Sequence, residues 1–174
     1  MKIQGGIPLT GEIWISGAKN SALPCIAATL LTKETIILKN VPHLTDISNM
    51  VSLMRNQGAQ IAVNGATGGG NNELTCNSVS IQTVASTVSE MRASIYLLGP
   101  LVSRFGSARI RLPIGGCPIG ARGIELHLDL LTALGATIDI EEDYLVATAA
   151  SRLKGAVFTF PKVRSCFFGW FCVL

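Results

Sequence analysis

Residues 112–122, Leu-Pro-Ile-Gly-Gly-Cys-Pro-Ile-Gly-Ala-Arg, place one thiol, Cys117, in a glycine-rich loop with Arg122 five positions on. Glycine lets the backbone approach a ligand closely. Arginine offers a planar fork suited to phosphate or carboxylate, and positive charge beside a thiol lowers its pKa. Two readings follow: an acid or nucleophile next to a bound anion, or a turn that contains a cysteine. A second group lies upstream, where Lys19, Asn20 and Ser21 precede an Ala/Leu-rich helix with Pro24 in its first turn. Free amides and the helix dipole make such an end attractive to anions, and Lys19 adds a full charge. The alternative is a solvated lysine beside a helix start. Arg92 occupies the corresponding place in a second, related stretch, which raises the anion reading for both.

Other reactive residue types read as structural. Glu125 and Asp129 lie four apart on one helix face, and Asp139, Glu141, Glu142 and Asp143 cluster at a hairpin; all six read as solvated. His127 falls within an amphipathic helix as a packing or surface residue. Arg104, Arg109 and Arg111 read as solvated, and Cys25 and Cys76 as small core hydrophobes. Five cysteines without paired spacing and only two histidines argue against a disulfide framework and against a zinc site, so no metal is expected.

The elements that must position these groups come from a chain of 174 residues, 48% hydrophobic and 14% charged, which suits one ordinary folded domain. A net charge of +3 with no basic run is too small to argue for nucleic acid, and no nucleic-acid partner is expected. No apolar run reaches the roughly 18 residues of a membrane span, and the N-terminus lacks a secretory pattern. The expected location is cytoplasmic, with reduced thiols.

An internal repeat sets the architecture. Residues 46–63 align with residues 123–140, with Gly58-Ala59 and Gly135-Ala136 at equivalent places 77 positions apart. Apolar residues at helical spacing, a Gly-Ala stop and then alternation describe helix, glycine terminus and strand. Upstream, Lys19 to Leu31 matches Arg92 to Val102, and Ile36-Ile37-Leu38 matches Ile110-Arg111-Leu112. Each unit reads helix, strand, helix, strand, strand. The Asn64–Asn72 stretch reads as a surface hairpin turn, and Lys154 to Phe158 as strand. The end, Arg164 to Leu174, is anomalous: Phe167 to Phe171 holds four aromatic residues, and the segment reads as a frame-shifted or truncated terminus.

Five motifs together resemble a known family. They are Ser16-Gly17-Ala18-Lys19-Asn20-Ser21-Ala22-Leu23-Pro24, Met91-Arg92-Ala93-Ser94, Leu98-Gly99-Pro100-Leu101-Val102, Gly115 to Arg122, and Arg152-Leu153-Lys154-Gly155-Ala156. In this order they resemble the UDP-N-acetylglucosamine 1-carboxyvinyltransferases, the cell-wall enolpyruvyl transferase family, over residues 1 to about 163. The shikimate-pathway enolpyruvyl transferases share the fold but lack the cysteine loop.

The resemblance implies an α+β fold, an inside-out α/β prism of repeated strand-helix units, here about two of six. It implies an N-terminal segment, residues 1–18, that pairs with a second domain. It further implies an incomplete catalytic domain over residues 19–163, in repeats 19–80 and 81–163, and a non-family tail over 164–174. The activity implied is transfer of the enolpyruvyl group from phosphoenolpyruvate to the 3-hydroxyl of UDP-N-acetylglucosamine, releasing phosphate and opening peptidoglycan synthesis, without a cofactor. Cys117 would be the proton donor, Lys19 and Asn20 would hold phosphoenolpyruvate, and Arg92 would touch the sugar nucleotide. Arg122, Gly123, Ile124, Glu125 and Leu126 would line the uridine diphosphate site, with Lys162 starting a further contact loop.

Three departures accompany the match. Ile114 is an extra residue, Gly123 stands where the family has proline, and the family continuation after Val163 is replaced. The 174-residue chain is therefore expected to be inactive or nearly so, because family members draw catalytic groups from both domains. A non-catalytic module that binds a nucleotide sugar or a partner is the alternative. Exposed apolar patches are expected to lower solubility.

Overall fold

The two Gly-Ala pairs close their helices with the same set of hydrogen bonds. At the end of α2 (Thr45–Asn56), Gly58 N–H donates to the Arg55 carbonyl at 2.9 Å and Ala59 N–H to the Met54 carbonyl at 3.0 Å. At the end of α4 (Glu125–Ala133), Gly135 N–H reaches the Thr132 carbonyl at 2.9 Å and Ala136 N–H the Leu131 carbonyl at 3.0 Å. Both are Schellman motifs, which need a left-handed residue after the cap, and the glycines supply it with φ of +99° and +96°. The alanine that follows is buried each time, turning the chain under its helix.

This is a computed structural model, which describes residues 2, 4–6, 8–13, 15–65, 72–85, 92–112 and 123–161, with the backbone alone for Val84, Ala85 and Arg92. The order is α1 (Lys19–Ala28) running into a 3-10 turn (Thr29–Leu31), β1 (Ile36–Val41), α2, β2 (Gln60–Asn64) and β3 (Asn72–Asn77). After the short β4 (Val84–Ala85) it repeats as a 3-10 helix (Arg92–Leu97) running into α3 (Leu98–Phe105), then β5 (Ser107–Arg111), α4, β6 (Thr137–Glu141) and β7 (Tyr144–Thr148). The helix, strand, helix, strand, strand order expected from the repeat is present in both halves.

Each half carries an antiparallel sheet, in order β1-β3-β2 and β5-β7-β6, with β4 added to the second as a parallel neighbour of β5. The fold is α+β. Alternation places Leu74 and Cys76 of β3 and Ile61 of β2 on the inner face of the first sheet, and Ala108, Ile110, Leu145 and Ala147 on that of the second. Leu23, Ile26, Ala27 and Leu30 form the inward stripe of α1 and its 3-10 turn. α1 packs on α2 and on the 3-10 helix of the second half, while α3 packs on the 3-10 turn of the first. One continuous core therefore joins the halves.

Four sequence expectations are corrected. Cys25 is exposed, because the α1 stripe 23, 26, 27, 30 leaves position 25 outside; Cys76 is buried as expected. Pro24 is the sixth residue of α1, inside the helix and buried, so the Asn20 carbonyl loses its i+4 donor. Arg104 is not simply solvated: its Nη1 donates to the Leu30 carbonyl at 2.7 Å and the Thr32 carbonyl at 2.9 Å, capping the 3-10 turn of the other half. Lys154 to Phe158 joins no sheet, and Val157 is fully exposed.

Arg109 and Arg111 are half-exposed. Arg109 crosses the Tyr144 ring to meet Glu141 at 3.3 Å, and Arg111 lies 3.9 Å from Asp143. The β2–β3 pairing of Asn64 with Glu73 makes the expected hairpin, whose residues 66–71 lie outside the described set. The tail, 164–174, lies outside it as well. Apolar side chains at Leu9, Ile13, Ile15 and Ile140 are exposed.

Candidate functional site

The start of α1 is held by an irregularity in β1. Leu38 pairs with Leu74 and Val41 with Asn72, so β1 carries an extra residue relative to β3. Asn40 lies in that bulge at φ +59°, a left-handed conformation asparagine tolerates better than most residues. Its side-chain Oδ1 accepts the Gly17 N–H at 3.0 Å. A Cβ at residue 17 would lie 1.9 Å from the Asn40 carbonyl oxygen, so only glycine permits the approach. Two residues later α1 begins with Lys19.

Lys19 Nζ donates to Asp46 Oδ2 at 2.7 Å, and Asp46 sits in the first turn of α2. The N-cap residues of both helices, Ala18 and Leu44, provide no side-chain acceptor. The first amides of a helix have no acceptor within it, so two uncapped positive ends are joined here by one ion pair. The side chains of Lys19 and Asp46 are 46% and 38% exposed, and Asn20 is exposed beside them. A pair so exposed stabilises the fold by about 0–1 kcal/mol. Its importance is the placement of an ammonium group at a helix start.

A second location is the start of α4. Ile124 is the N-cap residue, Glu125 is exposed in the first turn, and Leu126 is half-buried. The Glu125 carboxylate folds back over Gly123, where an added Cβ would lie 1.6 Å from Oε2. Arg92 opens the 3-10 helix that packs on α1. Cys117, Arg122 and Lys162 lie outside the described residues. The sequence reading missed Asp46. It stands 27 residues from Lys19, and its only local signal was an acidic residue in a helix's first turn.

His127, the acidic residues and Cys76 take the following places in the fold. His127 is fully buried, its ring meeting Tyr96 edge-on with centroids 6.2 Å apart. Glu125, Asp129, Asp139, Glu141, Glu142 and Asp143 are exposed. Burial pushes the Cys76 thiol up from its ordinary value, opposed by a hydrogen bond with Thr29. Among the described residues no group of three or more His, Cys, Asp and Glu could hold a metal ion, and no helix is long and apolar enough to cross a membrane.

With the fold and the helix starts in place, comparison with known proteins defines the class. Residues 3–167 match the EPSP synthase (3-phosphoshikimate 1-carboxyvinyltransferase) family model, and the chain belongs to that family. Within it, the chain is 47% identical over 171 residues to UDP-N-acetylglucosamine 1-carboxyvinyltransferase of Rhodospirillum centenum, covering 94% of this chain and 39% of that protein. It is 46% identical over 162 residues to the Coxiella burnetii protein of the same name, covering 92% of this chain and 36% of that one.

Solved structures agree. The enolpyruvyl transferase NikO from Streptomyces tendae aligns with TM-score 0.65 and 27% identity over 86% of this chain and 32% of that one. EPSP synthase from Acinetobacter baumannii aligns with TM-score 0.54 at 13% identity over 76% of this chain and 32% of that one, a likeness of fold alone. The chain thus spans 36–39% of the length of these curated relatives.

Proposed function

We propose that this chain carries the N-terminal part of an enolpyruvyl transferase that moves the enolpyruvyl group of phosphoenolpyruvate to the 3-hydroxyl of UDP-N-acetylglucosamine, releasing phosphate in the cytoplasm. The observation that carries the reading is the 46–47% identity to proteins named for that reaction, over more than nine-tenths of this chain. In this reading the two repeats, 19–80 and 81–163, are parts of one catalytic domain. Phosphoenolpyruvate is a multiply charged anion, and preorganised cations and helix amides stabilise the charge that develops on it. Lys19 and Asn20 hold it at the start of α1. Arg92 contacts the sugar nucleotide, and Arg122, Gly123, Ile124, Glu125, Leu126 and Lys162 surround the uridine diphosphate.

Cys117 gives its proton to the methylene carbon of the enol, and its thiolate can then form a carbon–sulfur bond at the adjacent carbon. That adduct is the sum of thiol and phosphoenolpyruvate, with nothing lost. Incubation of the chain with phosphoenolpyruvate followed by peptide mass mapping tests the assignment. The expected result is an adduct on the Cys117 peptide that is absent in Cys117→Ser. Adduct on other thiols alone would overturn it.

A second reading, in which the 174-residue chain binds the nucleotide sugar without turnover, rests on the presence of Lys19, Arg92 and Arg122. Calorimetric titration with UDP-N-acetylglucosamine, paired with a phosphate-release assay, tests it. Binding without release supports this second reading, and no binding, or release, overturns it.

A further inference from the structure

We infer that Asp46 is the positioning residue of Lys19, fixing its ammonium group so that the remaining N–H donors meet the substrate anion. The inference rests on the reading of Lys19 as an anion-holding residue. The 2.7 Å bond to Asp46 Oδ2 uses one of three ammonium donors and leaves two, on a side chain that is still 46% exposed. A free lysine samples many rotamers, and an anion that captures it must bear the cost of ordering it.

Here the ordering is done in advance by a carboxylate that is itself well placed. Asp46 stands in the first turn of α2, where the helix dipole favours a negative charge. α2 packs on α1, so anchor and ammonium ride on two helices of one core. Removing the Asp46 charge would also remove repulsion toward the anion, an effect of the opposite sign. At this exposure solvent weakens that repulsion, and the loss of positioning outweighs it.

The test is competitive acetylation of the intact chain, read by peptide mass spectrometry, with the exposed Lys33 and Lys39 as internal references. In the native chain phosphoenolpyruvate is expected to slow labelling of Lys19 and not of the references. Asp46→Asn is expected to raise Lys19 labelling at least threefold relative to both. It should also raise the phosphoenolpyruvate concentration for half-protection about tenfold, equivalent to ~1.4 kcal/mol. Asp46→Glu should recover part of each effect, which general damage to the fold would not allow, and unchanged amide spectra would confirm the fold.

If Asp46→Asn leaves labelling and protection unchanged, or tightens phosphoenolpyruvate binding, the positioning role is overturned while the anion site stands. If the native chain shows no protection at Lys19, the anion site itself fails and the positioning role falls with it.

Discussion

The two Schellman glycines allow a matched experiment in which local strain and tertiary contact separate. Gly58 and Gly135 hold equivalent places, with φ of +99° and +96°, so alanine at either site bears the same left-handed cost, ~1–2 kcal/mol. Part of that is offset because alanine reduces the freedom of the unfolded chain by ~0.4–1 kcal/mol. At Gly135 a new Cβ meets nothing within 4 Å, so the net loss should be about 1 kcal/mol.

At Gly58 the Cβ would lie 2.2 Å from the Ser80 backbone carbonyl oxygen, far inside an ordinary contact, and a backbone atom cannot rotate away. The segment after β3 must move. That motion strains the 2.7 Å bond from Gln82 N–H to the Gln57 carbonyl, a loss of about 1 kcal/mol by itself, and loosens the packing of Ser78, which is fully buried. Gly58→Ala should therefore lose ~3 kcal/mol, about 2 kcal/mol more than Gly135→Ala. Urea unfolding followed by far-ultraviolet circular dichroism, with equal m-values as the check on two-state behaviour, measures both. Losses equal to within ~0.5 kcal/mol, or a larger loss at Gly135, would refute the reasoning.

Three further outcomes follow from the tertiary contacts. Arg104→Met strips the Leu30 and Thr32 carbonyls of their charged donor and should lower stability by ~3 kcal/mol, with Arg104→Lys recovering part; a loss below ~1 kcal/mol would show that water replaces the guanidinium. Iodoacetamide should alkylate exposed Cys25 far faster than buried Cys76, read by peptide mapping. Because burial raises the folded Cys76 thiol above its ordinary value of 9.0, the unfolded chain deprotonates first. The contribution of that thiol to stability is therefore full below pH 9.0 and is lost as pH rises toward the folded value. Cys76→Ala should flatten that part of the alkaline unfolding profile.

What the sequence by itself determined is what short-range physics decides. The Gly-Ala helix stops were legible because a left-handed cap needs glycine within a fixed local frame, and both now show the same hydrogen bonds. Alternation at Ile61 and Val63 marked a strand but not its burial, since Ile61 is buried and Val63 exposed, and the motifs around Lys19 and Arg92 pointed to the family that the comparisons show. Lys19 and Asn20 were legible as residue types at a helix start, whereas Gly123 to Leu126, at another, came only with the family resemblance.

Tertiary structure decided the partners. Asp46 meets Lys19 across 27 residues, and Arg104 reaches Leu30 across 74. Nothing in local spacing encodes such pairs, because they depend on which helix packs on which. The exposure of Cys25 depends on the direction of the α1 stripe, and the sheet-free run from Lys154 depends on whether a partner strand is at hand. Residue type states what chemistry a side chain can do; the packing of α1 on α2 decides which group holds it in place.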